Sequence, residues 1–530
     1  FLFSIAISVF FILSAPRHTQ VEMTDYCMVT PYVIQNVPPN VMVVVDNSGS
    51  MFYFSYFDGF TTTIDTDDNM CTNSSSPCTE FTTPGTYPDY KYFGYFNPDY
   101  WYNYSSSRFY PTAPKTGSGI SGARAKNSTE WDGNFLNWVT MRRIDIIRKV
   151  LTGGKKTTGE GSGYERLLGE VADCDSRGRY KRMGDGSLYT PYTGTRKFVV
   201  NTAGGSCDGS GSGTSTFIVR NSTDTGNEAT FNVAVRVPTP VEGVLQEVVG
   251  TRARIGLSFY HVNSSTPQGG YVRVPVSGTS LSNTVTQINS KRPDSNTPLA
   301  ETLWTVTGYF AQQASIASGP GPRYNSGDFT INSTNDPYNY GTTSSPRDPW
   351  CAKSYVLYIT DGEPCADGNL PASIETYAHG KSAYDCEGTS CPAVGSFPAL
   401  PLPSCSAGGN VAGFEDVALW AHTTDLRNSP TLGVNNMSGM QSLGIYVIFA
   451  FGKGSTLLRY TAINGGFEDI NGNNIPDQQS EWDNNGDGEP DTFYEADEGY
   501  ALEASIREAF TSILKRATSG TAASVLASGE

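Results

Sequence analysis

The chain has 530 residues, and its 36 Lys and Arg residues against 52 Asp and Glu residues give a formal net charge of −16. This acidic balance excludes nucleic acid as an expected partner, because nucleic-acid binding requires a basic surface. The length exceeds what one hydrophobic core usually supports, and an aromatic content of 12% is too high for a disordered chain. We therefore expect a folded domain with substantial insertions.

The chain opens on a short apolar run, residues 1–13, followed by Ser-Ala-Pro-Arg at 14–17. The run is too short for a spanning helix and is typical of the core of a secretory signal peptide, here without its basic beginning. We assign residues 1–20 to this incomplete signal peptide and expect an exported protein. A retained anchor or pilin-like stalk helix is the alternative, although Ile5 stands where a pilin-like start would carry glutamate.

The first predicted strand leads directly into a set of oxygen ligands. Residues 41–45 are apolar and mostly β-branched, as in a strand buried on both faces of a parallel sheet. Asp46, Ser48 and Ser50 then place a carboxylate and two hydroxyls at alternate positions of the following turn. Oxygen ligands suit a hard cation such as Mg²⁺, and open α/β sheets bind ligands at the carboxyl ends of their strands. A surface turn capped by Asp46 is the alternative interpretation.

Residues 52–130 form a first predicted insertion, rich in Tyr, Asn, Ser and Thr. For its aromatic run, residues 90–102, we favour packing onto the host domain over an exposed platform for sugars or surfaces. Residues 135–151 then keep apolar side chains largely at helical spacing, and two glycines end the pattern. This segment is predicted to be one helix.

A second predicted insertion, residues 155–240, is β-rich. The remaining predicted elements are strands at 253–260, 354–360 and 444–452 and helices at 244–249, 414–427, 457–464 and 501–515. Alternating strands and helices with right-handed crossovers predict an α/β fold. Its core is expected to be a doubly wound, mostly parallel sheet flanked by helices, with large loop insertions and a small β-rich subdomain.

Two acidic segments near the end of the chain share one pattern, fourteen residues apart, with oxygen side chains at positions 1, 3, 5 and 9 of a calcium loop. The predicted ligands are Asp469, Asn471, Asn473, Ile475 and Asp477 in the first loop and Asp483, Asn485, Asp487, Glu489 and Asp491 in the second. Position 6 is glycine only in the second copy, and position 12 is Ser480 or Tyr494, so the pair is more like thrombospondin type 3 repeats than EF-hands. We predict Ca²⁺ in this insert, residues 465–498, with an acidic solvated loop as the alternative.

Ten cysteines in a chain expected to be exported indicate disulfides, but their spacing does not define the connectivity. Another predicted insertion, residues 362–409, is cysteine-bearing. The disulfide candidates are Cys71 with Cys78, Cys386 with Cys391, and Cys174 with Cys207.

Several of these segments resemble known families. The combination of Asp46-x-Ser48-x-Ser50, a loop threonine at Thr297, and a strand that ends in Thr-Asp-Gly at Asp361 resembles the metal-ion-dependent adhesion site (MIDAS) of von Willebrand factor A domains. Further segments resemble the type IV pilus tip-associated adhesins of the PilY/PilC family, namely residues 92–98, 131–154, 297–301 and 517–524. That resemblance spans residues 38 to 524, with gaps at low-complexity loops.

The resemblance to A domains implies that these five residues hold Mg²⁺ or another divalent cation, which takes a carboxylate from a partner. The resemblance to pilus adhesins implies export through the periplasm and outer membrane to the pilus tip or cell surface, contact with minor pilins, support of pilus assembly, and attachment to host cells or abiotic surfaces. It also implies a C-terminal β-propeller, so we expect an A-like domain over residues 38–515 and the start of a following domain or linker at 516–530. Calcium binding in that family is implied in the propeller, and the calcium loops predicted here depart from that pattern.

Two alternatives to adhesion follow from the same residues. The chain is a structural, force-bearing pilus-tip subunit if its metal sites only stabilise the fold. A hydrolase with Asp46 as nucleophile is poorly supported, because Ser48 replaces the second carboxylate that such chemistry needs and none of the four histidines stands beside a serine or cysteine motif. We do not expect an enzyme.

Overall fold

The computed structural model describes residues 37–56, 64–65, 70–71, 90–171, 180–183, 186–194, 196–200, 215–221, 227–261, 269–314, 321–341, 351–362, 364–386, 413–428 and 436–526. The predicted signal peptide lies outside these residues. The strands in chain order are β1 (Asn40–Val45), β2 (Ile64–Asp65), β3 (Met70–Cys71), β4 (Tyr100–Ser105), β5 (Arg108–Pro114), β6 (Trp131–Asp132), β7 (Lys156–Thr157), β8 (Tyr164–Leu168), β9 (Tyr180–Met183), β10 (Arg196–Val200), β11 (Thr216–Asn221), β12 (Asn227–Asn232), β13 (Ala234–Pro238), β14 (Arg254–Tyr260), β15 (Gly270–Ser277), β16 (Ser354–Thr360), β17 (Leu443–Ala450) and β18 (Phe493–Ala496). The α-helices are α1 (Gly133–Thr140), α2 (Arg143–Thr152), α3 (Leu281–Ser290), α4 (Leu299–Ala311), α5 (Ala372–Glu375), α6 (Phe414–Thr423), α7 (Thr456–Gly466), α8 (Gln479–Trp482) and α9 (Gly499–Leu526).

Six strands form the central sheet in the order β15-β14-β1-β16-β17-β18. The pairs from β14 to β18 are parallel, and β15 joins one edge antiparallel. Every residue of β1 is buried, because β1 lies between two strands and under helices on both faces. This position explains its continuous apolar sequence. The predicted doubly wound, mostly parallel α/β sheet is confirmed.

Helices cover both faces of this sheet, because successive side chains of a strand point to opposite sides. Val41, Val43 and Val45 belong to a buried cluster that includes residues of α2 and α9. Met42 and Val44 belong to a second cluster, formed with residues of α4, α6 and α7. The central strand therefore contributes to two hydrophobic cores, one on each side.

The two predicted insertions that flank the first helices are joined in one β-rich unit. β4 and β5 from the first insertion, β6 directly after it, and β7, β8 and β13 from the second form a six-stranded sheet, and β9 to β12 form a four-stranded one. Trp131 of β6 is buried between the sheets, with its ring centroid 5.6 Å from that of Phe217 and 4.9 Å from that of Phe231. Buried aromatic packing of this kind stabilises the contact between the two sheets.

The aromatic run of the first insertion packs against α1. Tyr92, Phe93, Tyr95 and Phe96 are all at most 7% exposed. The Asn137 amide of α1 donates to the carbonyls of Tyr92 at 2.8 Å and Phe96 at 2.7 Å. The preference for packing over an exposed aromatic platform is therefore confirmed.

The prediction of one helix over residues 135–151 is wrong, because the chain breaks into α1 and α2 at Arg142. Arg142 is extended, with φ of −101° and ψ of 160°, and forms an antiparallel bridge with Phe54. The next residue, Arg143, donates its N–H to the carbonyl of Tyr53 at 2.9 Å. Pairing with a distant segment thus overrides the local helical pattern, which carries no information about that partner.

The last helix is longer than predicted. We expected it to end at residue 515, whereas α9 continues to Leu526. The boundary predicted at residue 516 therefore falls inside a helix.

Helix α6 carries a buried carboxyl group at its start. Glu415 is fully buried, and its oxygens accept the N–H of Cys386 at 2.9 Å and the N–H of Gly413 at 3.2 Å. Burial, and then the neighbouring Asp416, raise the pKa of Glu415 from 4.5 to about 8. The folded protein therefore holds this proton more tightly than the unfolded chain does.

The free energy of unfolding is expected to decrease as the pH rises from about 4.5 to about 8, because the stabilisation from a raised pKa is present below the unfolded value and is lost through the folded one. Glu415→Gln, which stays uncharged, should flatten the decrease. Some slope should remain in this variant, because the pKa of Asp416 is also raised, to about 7. Urea denaturation across this pH range, in the presence of a chelator, measures the effect. Equal pH slopes for the wild type and Glu415→Gln would contradict it.

Candidate metal centre

Asp46 lies at the carboxyl end of β1 and organises the turn that follows. It is 1% exposed, and one carboxylate oxygen accepts the N–H of Ser48 at 2.6 Å. The other oxygen accepts the hydroxyl of Thr360 at 2.7 Å and the N–H of Asp361 at 3.3 Å. One carboxylate thus joins the ends of the neighbouring strands β1 and β16.

Hydroxyl groups link this carboxylate with a second one. Ser48 Oγ lies 2.8 Å from Ser50 Oγ, and the Ser50 hydroxyl donates to Asp361 Oδ1 at 2.7 Å. The structure therefore brings four of the predicted ligands, Asp46, Ser48, Ser50 and Asp361, into one hydrogen-bonded group. We call this group, together with Thr297, the metal centre, because its side chains are the predicted ligands of a cation.

The loop that carries Thr297 runs beside the same turn. Ser295 forms a parallel bridge with Ser48, and its carbonyl accepts the N–H of Gly49 at 3.0 Å. Thr297 follows two positions later, is 8% exposed, and accepts the N–H of Cys365 on its carbonyl at 2.9 Å. Its backbone therefore connects the turn after β1 with the segment after β16.

Three residues that position the metal centre were missed by the sequence prediction. Arg143 donates to Asp361 Oδ2 at 2.8 Å in a buried ion pair. Thr360 holds the first carboxylate, and the Asn47 amide holds the neighbouring loop by donating to Asp294 Oδ1 at 2.7 Å. Thr360 and Asn47 stand next to predicted ligands in the sequence, and this position could have identified them as residues of the site. Arg143 is 218 positions from its partner, and no local pattern reveals it.

The two carboxylates of the metal centre are close together and shielded from water. Burial, and then the negative charge of Asp361, raise the pKa of Asp46, although hydrogen bonds from Ser48 and Thr360 oppose this shift. A divalent cation beside both carboxylates would relieve their repulsion. Because the side chains offered are carboxylates and hydroxyls, the residues present fit a hard ion such as Mg²⁺.

The two predicted calcium loops share one backbone arrangement. In each loop the first aspartate, Asp469 or Asp483, accepts the N–H groups three, four and five positions later, at 2.7 to 3.1 Å. Position 6 is left-handed in both, with φ of 58° at Asn474 and 91° at Gly488. Asparagine tolerates this conformation better than most residues, so the first copy folds like the second without the glycine.

Side chains at the odd positions converge within each loop. In the first loop, the amides of Asn471 and Asn473 donate to the two oxygens of Asp477, at 2.8 and 2.9 Å. In the second, the amide of Asn485 donates to Asp487 Oδ2 at 2.9 Å. The oxygen-bearing side chains that the sequence pattern selected therefore lie together in both loops.

Positions 7 and 9 complete the pattern. Position 7 is Ile475 in the first loop, and in the second it is Glu489, whose carboxylate pairs with Arg459 at 2.8 Å. Isoleucine has no side-chain oxygen, and the Glu489 carboxylate is paired with arginine. Position 7 would therefore offer its backbone carbonyl in both loops, as calcium loops commonly do. At position 9, Asp491 accepts the N–H of Asn484 at 3.4 Å, which closes the second loop.

Three cysteines of the described chain, Cys351, Cys365 and Cys386, are disulfide-bonded. Cys71 belongs to β3. The remaining disulfide candidates, Cys78, Cys174, Cys207 and Cys391, lie outside the described residues. The predicted pairings therefore stay predictions.

One further group of potential ligand atoms lies within 4.8 Å of one another, on His379, Asp385 and Asp416. Contacts within the protein account for this arrangement. His379 Nε2 lies 3.4 Å from Asp385 Oδ1, and Asp416 accepts the N–H of Ala378 at 2.6 Å. We assign no metal to this group.

Residues 85–227 match the protein-family model described as "PilY1 homolog, small alpha/beta domain". The resemblance to the PilY/PilC pilus-tip adhesins is confirmed over these residues. These matched residues, 85–227, which we call the PilY1-homolog domain after the model that they match, contain β4 to β11 and both helices α1 and α2. It therefore includes Arg143, which reaches the metal centre.

Among solved structures, the von Willebrand factor domain of the type V pili tip protein Mfa5 from Porphyromonas gingivalis is similar at 11% sequence identity. The similarity covers 52% of this chain and 84% of that chain, with a TM-score of 0.23. A TM-score this low carries no argument about this chain, and its doubly wound α/β fold rests on the strand order of its own central sheet. No curated protein matches the chain. No helix within the described residues has the length and apolar character needed to cross a membrane.

Proposed function

We propose that this chain is a pilus-tip adhesin that binds surface or host-cell ligands through a divalent cation in the metal centre. The observation that carries the proposal is the hydrogen-bonded group of carboxylates and hydroxyls at the ends of β1 and β16. The PilY1-homolog domain supports the association with pili.

Each residue of the metal centre has a distinct role in this proposal. The hydroxyls of Ser48, Ser50 and Thr297 and the carboxylate of Asp361 would hold a Mg²⁺-type ion, and Asp46 would bind it directly or through water. The ion would supply an open coordination position for a carboxylate of the ligand. Asp46 also fixes the turn without an ion, since its carboxylate accepts the N–H of Ser48 at 2.6 Å.

We further propose that the two calcium loops bind Ca²⁺ and stiffen the segment between α7 and α9. Their shared backbone arrangement and the convergence of their oxygen side chains support this assignment. A bound ion would offset the repulsion among the carboxylates gathered in each loop.

The same proposal includes the cellular location and the partners of the protein. Export, location at the pilus tip or cell surface, contact with minor pilins and a C-terminal β-propeller are all parts of it that the PilY1-homolog domain supports by family resemblance. The ligand is expected to present a carboxylate.

A structural, force-bearing tip subunit is the second candidate function. The observation that favours it is that the metal centre already joins two central strands through hydrogen bonds between its own side chains. An ion there would then only strengthen the contact between the carboxyl ends of β1 and β16.

The double variant Ser48→Ala, Ser50→Ala in the piliated bacterium distinguishes the two functions. If the chain is an adhesin, surface attachment should fall at least about tenfold while the number of pili stays unchanged, because the hydroxyl ligands are lost but the sheet is not. Attachment assays and electron microscopy of pili measure the two outcomes.

A matched control is Ser282→Ala, Ser290→Ala, on exposed positions of α3. This control should leave both attachment and piliation unchanged. Loss of pili in the Ser48→Ala, Ser50→Ala variant would contradict the adhesin and support the structural subunit.

A further inference from the structure

We propose that Arg143 sets the charge of the metal centre, so that the centre, once loaded with a divalent cation, carries a net positive charge and selects an anionic ligand group. This inference rests on the proposed function. It assigns to the PilY1-homolog domain a direct part in the recognition of the ligand.

Arg143 is fixed beside the metal centre by several contacts. Its side chain is 2% exposed and donates to Asp361 Oδ2 at 2.8 Å. The guanidinium lies 5.7 Å from the ring centroid of Tyr53 and 5.5 Å from that of Phe451. Because the backbone N–H of Arg143 is also bonded to Tyr53, the side chain starts from an anchored position.

The guanidinium does not take the place of the ion. Asp361 uses Oδ2 for Arg143 and Oδ1 for the hydroxyl of Ser50, so its two oxygens face different partners. The oxygen on the side of the serine hydroxyls remains directed at the other predicted ligands. Arg143 is therefore a positioning residue that keeps its contact when an ion is bound. Its hydrogen bond uses Asp361 Oδ2, and an ion on the side of the serines would use Oδ1.

The charges of the centre can be counted from these side chains. Asp46 and Asp361 contribute two negative charges when a cation is bound, and Arg143 contributes one positive charge. The nearby Lys291 and Asp294 pair with each other at 2.7 Å and add no net charge. With a divalent cation, the sum over Asp46, Asp361 and Arg143 is plus one, which a ligand carboxylate would neutralise. Without Arg143 the loaded centre would be neutral, and an anion would lose its electrostatic attraction.

The test is calorimetric titration of the purified full chain with Mg²⁺ alone, in the wild type and in Arg143→Gln and Arg143→Lys. Arg143→Gln should bind Mg²⁺ about tenfold more tightly, because a positive charge near the ion is removed. Its metal-free form should melt at least a few degrees lower, because buried Asp361 loses its counter-charge. Arg143→Lys should bind Mg²⁺ nearly as the wild type does. Sodium acetate should raise the apparent Mg²⁺ affinity of the wild type more than that of Arg143→Gln.

The opposite signs of the first two effects separate this role from simple structural support, which would lower stability and affinity together. Equal or weaker Mg²⁺ binding by a folded Arg143→Gln protein would overturn the role of Arg143 alone. Arg143→Met, whose apolar side chain would lie near the Tyr53 and Phe451 rings, gives the same comparison if the glutamine variant does not fold. No Mg²⁺ binding by the wild type would overturn the proposed function and this inference with it.

Discussion

Replacing Glu170 by alanine is expected to lower the free energy of unfolding by about 3 to 5 kcal/mol, because it leaves a buried arginine without its counter-charge. The Glu170 side chain is fully buried and pairs with Arg148 at 2.8 Å, Arg292 at 2.8 Å and Lys155 at 3.1 Å. Arg148 is itself fully buried. These residues tie α2 and β8 to the segment after α3, so the loss should weaken the contact between the PilY1-homolog domain and the central sheet.

The pKa of Glu170 reflects the same network. Burial alone would raise it, but the charges of Arg148, Lys155 and Arg292 outweigh burial and lower it to about 2. The stabilisation from a lowered carboxyl pKa is present above the unfolded value and is lost as the pH falls through the folded one. It should therefore persist to about pH 4.5 and disappear toward pH 2, the window between the ordinary and the folded-state pKa.

The control for this prediction is Glu228→Ala, which removes a partly exposed partner of Arg196 at 3.1 Å. Surface ion pairs contribute about 0 to 1 kcal/mol, so this variant should unfold nearly as the wild type does. Urea denaturation at neutral pH compares the two variants. If Glu170→Ala is destabilised no more than Glu228→Ala, the network does not stabilise the fold as argued.

Replacing Asp46 by alanine is expected to abolish Mg²⁺ binding at the metal centre, a decrease in affinity of at least about 100-fold. Loss of a residue that only orients a metal ligand lowers the metal affinity by about 10- to 100-fold. Asp46 is itself a proposed ligand, so its loss should lower the affinity further. Its carboxylate holds the Ser48 N–H, the Thr360 hydroxyl and the Asp361 N–H at 2.6 to 3.3 Å. The change therefore removes a negative charge and the organiser of the turn together.

The fold should survive this substitution, because Asp46 lies at the end of β1 and the strand keeps its backbone pairing with β14 and β16. The matched control is Asp99→Ala, which removes an aspartate whose pairing with Lys91 is exposed. The control should retain the Mg²⁺ affinity of the wild type. Circular dichroism of both variants checks that they remain folded.

The sequence predicted the central sheet and the grouping of Asp46, Ser48, Ser50 and Asp361 because local residue patterns determine both. A strand buried on both faces must be continuously apolar, and residues 41–45 show this directly. Asp46, Ser48, Ser50 and Asp361 directly follow such strands, and parallel strands bring their carboxyl ends to one edge. The shared geometry of the two predicted calcium loops was predictable for a similar reason, since the residues of each loop lie within nine consecutive positions.

The sequence did not predict features that depend on contacts between distant segments. The break between α1 and α2 follows from the bridge of Arg142 to Phe54, and the apolar spacing of the helix pattern continues across it. The pairing of Arg143 with Asp361 joins residues 218 positions apart. Nothing in the composition of either segment specifies the other. Only the folded arrangement reveals that helix α2, within the PilY1-homolog domain, places the guanidinium of Arg143 beside Asp361.

The central claim is tested most directly by calorimetric titration of the purified chain with Mg²⁺ and with Ca²⁺, in the wild type, Asp46→Ala and Asp487→Ala. The account predicts two separable binding events. Asp46→Ala should lose the Mg²⁺ event and keep the Ca²⁺ event, whereas Asp487→Ala should weaken only the Ca²⁺ event. A wild-type chain without a binding event that depends on Asp46 would contradict metal-dependent adhesion and leave the structural tip subunit as the better account.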